Sequence, residues 1–158
     1  MPDAKFPFAD ITAAGYQAVC SGQKTYNGVA ILSRTAAQEI QTDPPALQDP
    51  QRRILAASIG GVRVLNLYVP NGQSVDSEKY AYKLDWLEKV TDYVQQQLAL
   101  YPQLVVLGDF NVAPEDRDVH DPRLWQGQVL FSEPERTAFR RFMQAGLCDT
   151  FRLFEQAE

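Results

Sequence analysis

Gly60-Gly61 separates two runs rich in aliphatic and β-branched residues, Ile54 to Ile59 and Val62 to Tyr68. A two-residue Gly-Gly connection between such runs predicts a tight β-hairpin, because its favoured turn needs positive φ at both central positions. Alternation puts Val62, Val64, Asn66 and Tyr68 on one face of the second strand, and Arg63, Leu65 and Leu67 on the other. Tyr68 then ends the strand, and Pro70, Asn71 and Gly72 must form a loop. Tyr16 to Cys20 and Gly28 to Ser33 predict a second hairpin, with a long connection that contains the turn formers Gly22 and Asn27. Between the hairpins, Pro44, Pro45 and Pro50 predict loop or edge strand from Arg34 to Gln51.

The period changes after Ser77. Tyr80, Leu84, Leu87, Val90 or Thr91, Val94 and Leu98 recur at helical spacing up to Leu100, and Asp76 or Ser77 can cap the start. Pro102 follows, and Leu104 to Leu107 then predicts a buried strand, apolar on both faces. A loop from Gly108 to about Phe131 leads to a second helix. Ser132 and Glu135 form its capping box, Pro134 sits in its first turn, and Ala138, Phe139, Phe142 and Met143 make its apolar face. Gly146 is placed to stop it. Hairpins, helix, buried strand and helix in this order predict an α/β layered fold.

A chain of 158 residues fits a single domain. No apolar run approaches the ~20 residues needed to span a bilayer, and MPDAKFPFAD lacks the apolar stretch of a signal peptide. No membrane association and a cytoplasmic location are expected. Cys20 and Cys148 show no metal-type spacing, so two buried thiols in a reducing compartment are expected. The net charge of −5 argues against tight non-specific binding to DNA. It leaves room for an active site whose carboxylates gather round a cation beside a local basic face.

Three segments carry chemistry. In LVVLGDFNVAP, Leu104 to Pro114, a strand delivers the Asp109 carboxylate and the Asn111 amide to its carboxyl end. If the extended conformation persists, both face the same side. Asp109 can deprotonate water or bind a hard cation, and Asn111 can hold a phosphoryl oxygen without adding negative charge. Phosphodiester cleavage needs both kinds of help, as charge grows on the phosphoryl oxygens. The bland alternative is a turn in which Asp and Asn satisfy the backbone. In NLYVPNG, Tyr68 and Asn71 can present two polar groups to one anion, or serve only as an aromatic and a turn residue. In GQKTYNG, Lys24, Tyr26 and the amides near Gly28 can line a nucleic-acid backbone, or form an ordinary hairpin loop.

Together GYQAVCSGQKTYNGVAILSR, NLYVPNG and VVLGDFNVAP resemble the bacterial exonuclease III and apurinic/apyrimidinic endonuclease family, of the endonuclease/exonuclease/phosphatase superfamily. The likeness continues through DVHDP, the Trp125 region, FSEPER and GLCDTFR, and so covers essentially the whole chain. It implies an α/β fold of two packed β-sheets flanked by helices in four layers. It also implies Mg²⁺-dependent hydrolysis of DNA, with Mn²⁺ as a substitute, at abasic sites and 3′ ends of double-stranded DNA. Position by position, Tyr68 resembles the tyrosine near the scissile phosphate, and Asn71 the asparagine that contacts phosphate beside it. Asp109 resembles the aspartate assigned as water activator, leaving-group acid or metal ligand. Asn111 resembles the asparagine that stabilises the phosphoryl transition state and is sometimes counted a metal ligand. Asp118 resembles a supporting acid, and Tyr26 and Gly28 lie where the family touches the DNA backbone.

The resemblance also implies what residues 1–158 do not contain. In that family a Gln-Glu-Thr segment carrying the principal metal-binding Glu comes before the point matched by MPDAK. A Trp-Trp-Asp-Tyr-Arg segment, an Arg-Ile-Asp strand and a closing Ser-Asp-His come after the point matched by FRLFEQAE. His120 stands in a loop and is expected at the surface rather than in the role of the missing histidine. A single, truncated domain is therefore expected, catalytically incomplete and with sheet edges exposed for self-association. Two other readings are a non-catalytic binding or assembly fragment and a phosphatase of the same superfamily.

Overall fold

A computed structural model describes residues 1–154 of the chain. Two compact units are distinguished, one built from Met1–Pro70 and Gln96–Asn111, the other from Asn71–Gln95 and Val112–Glu158.

The first unit holds the sheets. After a short helix α1 (Phe8–Ala13), which the sequence reading did not foresee, β1 (Gln17–Gly22) and β2 (Gly28–Ser33) pair antiparallel. A second sheet has the order β3 (Gln38–Gln41), β4 (Ile54–Ile59), β5 (Val62–Tyr68), β6 (Leu104–Asp109). Gly60 and Gly61 close the β4–β5 hairpin with φ of 58° and 85°, the left-handed pair that the turn demands. Pairing of β5 with β6 is parallel. The hairpin of β1 and β2 lies face to face on this sheet: Val29 and Ile31 pack with Leu55 and Ala57, and Val19, Ile59, Val64 and Tyr68 close round them. Asn66 ties the layers together, its amide donating to the Ala30 carbonyl at 2.8 Å. Two packed sheets with helices are the α/β arrangement that the resemblance implies.

The opposite face of β4 and β5 buries Ile54, Ala56, Leu65, Leu67 and, unexpectedly, Arg63. Two of its nitrogens are engaged, with Nε donating to Gln97 at 2.9 Å and Nη1 to the Glu39 carbonyl at 2.7 Å. The guanidinium also lies 4.7 Å from the Tyr101 ring centre. Burial of a strand arginine is tolerated because these donors and its π-facing surface are matched.

β6 departs from expectation. It is an edge strand, and Val105 and Leu107 are 46% and 43% exposed. Hydrophobic composition predicted burial on both faces, but burial requires neighbours, and the β1–β2 hairpin covers β4 and β5 rather than the edge. Cys148 is also exposed rather than buried, because it falls on the outward side of an alternating segment after Gly146. Cys20 is half-buried; burial first, then the hydrogen bond to Asp3 and that carboxylate's charge, push its thiol up to about 11.

The second unit is helical. Most of α2 (Glu78–Leu100), α3 (Pro122–Trp125) and α4 (Glu133–Gln144) belong to it. The Ser77 hydroxyl accepts from the Tyr80 N–H at 3.1 Å and so starts α2 as a cap. Its buried face includes Tyr80, Leu87, Val90 and Val94 as the periodicity predicts, and also Trp86, Tyr93 and Lys83; Leu84 and Leu98 are only partly buried. Lys83 forms an ion pair with Glu135 of α4, both side chains wholly withdrawn from solvent. The same ammonium donates to the Asn71 carbonyl at 3.1 Å, while Glu135 accepts from the backbone N–H of Leu130 and of Ser132. Glu135 thus completes the expected capping box and neutralises a buried cation at once.

Glu135→Gln should therefore cost roughly 3–5 kcal/mol, since it strands the Lys83 charge. Replacing the pair together, as Lys83→Met with Glu135→Leu, should cost less than the single change. Urea unfolding followed by circular dichroism checks the order.

Candidate active site

Two strands of the first unit end side by side. In the parallel register Leu67 faces Gly108 and Tyr68 faces Asp109, so the tyrosine and the carboxylate leave the same face of the sheet at its carboxyl edge. The ladder runs one step further, with the Val69 N–H donating to the Asp109 carbonyl at 2.9 Å. Gly108 makes this approach possible. Its φ is +135°, and a Cβ there would lie 1.9 Å from the Leu67 carbonyl oxygen.

The extended conformation does not persist to Asn111, and here the sequence expectation is corrected. The strand ends at Asp109, and Asn111 takes a φ of 48°. Its N–H donates to Asp109 Oδ1 at 3.1 Å, an Asx turn that competes with continued extension. The Asn111 amide then reaches back, donating to the Val69 carbonyl at 3.0 Å. The bland reading of this tetrapeptide is thus realised in part. Yet the turn also draws Asp109 and Asn111 to one end of the β5–β6 pair. Asp109 is exposed, and Tyr68 and Asn111 are half-buried. A proton acceptor, a hydroxyl and an amide so placed can serve one phosphoryl group.

The remaining candidates fall in three places. Lys24 and Tyr26 stand exposed on the β1–β2 loop, Tyr26 at 76%. Gly28, with φ +145°, faces Gly22 across the hairpin, and at Gly22 a side chain would run into the Met1 carbonyl 2.2 Å away. Asn71 belongs to the second unit. It is exposed, its Oδ1 accepts from the Gln73 N–H at 3.1 Å, and its carbonyl is held by Lys83. Asp118 also lies there, both oxygens 2.6 Å from Arg152 Nη2. Arg152 is the centre of this ion cluster, and it also meets Asp149 at 2.5 Å and Glu115 at 3.2 Å. His120 is exposed, as expected of a loop histidine.

Sequence reasoning missed Arg53, which holds the backbone of Tyr68, and Gln51, which in turn holds Arg53. Gln51 precedes the strand in a proline-rich stretch, and one arginine before a strand carries no signal of its own. Nor do the donors present fit a resident cation. Asp109 brings one carboxylate and Asn111 one amide, and no three His, Cys, Asp or Glu side chains gather among the described residues. A hard divalent ion needs six or more oxygens, some from water or phosphate.

The site lies at the carboxyl edge of parallel strands in a chain that belongs to the endonuclease/exonuclease/phosphatase family, whose model matches residues 2–151. Among particular proteins, it is 29% identical over 162 residues to the exodeoxyribonuclease III of Haemophilus influenzae, covering 95% of this chain and 61% of that one. It superposes on a Neisseria 3′ phosphatase solved with product DNA hairpin, with a TM-score of 0.94 and 44% identity, over 97% of this chain and 60% of that one. An AP endonuclease from Archaeoglobus fulgidus gives a TM-score of 0.92 at 39% identity, over 97% and 60%. The chain thus spans about 60% of the length of these relatives.

Gly108→Ala should lower stability by roughly 3–5 kcal/mol, because strain and a backbone clash act together; thermal melting checks it. Burial works to raise the Asp149 pKa, but hydrogen bonds and charge from Arg152 outweigh it and leave the carboxyl below its usual range. A lowered native pKa stabilises the fold above the unfolded value of about 3.9, and that gain is lost as pH falls through the native value. The stability difference between wild type and Arg152→Met should therefore be greatest near neutral pH. It should shrink below about pH 4 in urea titrations at each pH.

Proposed function

We propose that the chain is the core of a DNA-repair phosphodiesterase of the exodeoxyribonuclease III type. Its substrates are 3′ ends and abasic sites of double-stranded DNA. The pairing of Tyr68 with Asp109 across parallel strands is the observation that carries this reading. In it, Asp109 takes the proton from attacking water or supplies one to the leaving oxygen. Tyr68 and Asn111 donate to the phosphoryl oxygens as charge grows there. Asn71 contacts phosphate; Lys24, Tyr26 and Gly28 follow the DNA backbone; Asp118 supports its loop through Arg152.

On this reading residues 1–158 act as a single domain in the cytoplasm. Mg²⁺ or Mn²⁺ dependence requires oxygen ligands beyond Asp109 and Asn111, so these residues bind DNA but turn it over slowly or not at all. Among the described residues β6 is the outer strand of its sheet and carries two exposed aliphatic side chains, and on this reading that edge favours self-association. The likeness to a 3′ phosphatase acting on DNA adds a terminal 3′-phosphate to the substrates worth testing.

Fluorescent duplexes carrying one abasic site, and hairpins ending in a 3′-phosphate, test the proposal. Each is incubated with the folded chain in Mg²⁺, in Mn²⁺ and in EDTA, beside Asp109→Ala. Salt-dependent binding, weakened by Lys24→Ala, is expected, with no metal-dependent product above the Asp109→Ala background. Absence of binding would sink the DNA reading. Cleavage that Asp109→Ala abolishes would show that the partial set suffices.

A further inference from the structure

We infer that Arg53 is a positioning residue for Tyr68, and that it couples this tyrosine to the loop between β1 and β2. The inference rests on the reading of Tyr68 as a phosphate-facing group.

Tyr68 is the last residue of β5, and β4 offers it no partner, since the β4 pairing closes with Ile54 opposite Leu67. Arg53, the residue before β4, takes its place. The Tyr68 N–H donates to the Arg53 carbonyl at 2.8 Å, and Arg53 Nη1 donates to the Tyr68 carbonyl at 3.1 Å. Both main-chain polar groups of Tyr68 are thus held by one residue. The same guanidinium lies 4.8 Å from the centre of the Tyr68 ring, within range of a cation–π contact. Arg53 is only 9% exposed. A plane that stacks on a ring while its edge donates to a carbonyl is a geometry that lysine cannot reproduce.

The contact extends outward. Arg53 Nε donates to Gln51 Oε1 at 3.0 Å, and the same oxygen accepts from the Asn27 amide at 2.7 Å. Asn27 has a φ of 66° and is flanked by Tyr26 and Gly28. Beside this chain, the Gln23 side chain accepts from the Arg52 N–H at 3.1 Å. The loop carrying Lys24 and Tyr26 is therefore linked by Asn27, Gln51 and Arg53 to the ring and backbone of Tyr68. A strand of DNA that displaced the loop would act on the tyrosine through this chain of hydrogen bonds.

The test uses the full chain with ¹³C-labelled tyrosine, the Tyr68 ring signal being assigned by its loss in Tyr68→Phe. Arg53→Met should shift and broaden that signal, and Arg53→Lys should restore it only in part. Asn27→Ala, far along the sequence, should move it as well. An unmoved Tyr68 signal in folded Arg53→Met overturns the inference, and Arg53→Lys serves if the methionine variant does not fold. Affinity for a 3′-phosphate DNA hairpin gives a second readout. Arg53→Met should weaken binding roughly five- to tenfold, and should cost nothing further once Tyr68→Ala is present. Equal losses in both backgrounds would mean that Arg53 acts on DNA directly and overturn the positioning role. A wild-type chain that does not bind the hairpin refutes the DNA reading instead, and the ring signal then decides the inference alone.

Discussion

Parallel pairing of β5 with β6 sets Tyr68 and Asp109 side by side, and the chemistry proposed for the pair rests on that register. The pairing in turn depends on a missing side chain. Gly108 lies against the Leu67 carbonyl at a distance no Cβ can occupy, so the strands end together only with glycine at this point. Beyond it the chain must turn, and the Asx turn from Asp109 to Asn111 uses the candidate acid as its own structural support. One carboxylate therefore has two employments. Its Oδ1 holds the turn, while the group as a whole remains open to solvent and to substrate.

Buried polar contacts share a logic across the two units. In each, a cation is placed where hydrophobic patterning would put an aliphatic side chain, and each is satisfied on several sides. Arg63 meets Gln97, a carbonyl and an aromatic ring; Lys83 meets Glu135 and the Asn71 carbonyl. Such groups add less to stability than their number suggests, since desolvation offsets much of the attraction. What they do give is direction. Lys83 fixes the backbone of the residue that would touch phosphate, and an aliphatic side chain of equal size could not do so.

The hairpin at Gly60-Gly61, the cap at Ser77 and the box at Ser132 and Glu135 were all legible in the sequence, because each rests on neighbours a few residues apart. Tyr68 and Asp109 were legible as strand ends for the same reason. Long-range facts were not legible. Leu104 to Leu107 is as apolar as a central strand, and only the sheet order makes it an edge. Lys83 is of a residue type that normally faces water, and its burial depends on a carboxylate that is distant in sequence. The left-handed φ of Asn111 depends on a side-chain hydrogen bond that competes with strand continuation, a contest that residue identity alone does not decide.

The turn at Gly60-Gly61 stands at the other end of β5 from Tyr68, roughly 20 Å away by strand rise. Both glycines face open space, with nothing within 4 Å of where a side chain would be. Evolutionary drift and laboratory insertion meet least resistance at such a bend, provided that the added segment supplies its own left-handed residues. A dye, an affinity tag or a surface tether placed there would report on the molecule, or anchor it, from the end of the strand remote from Tyr68.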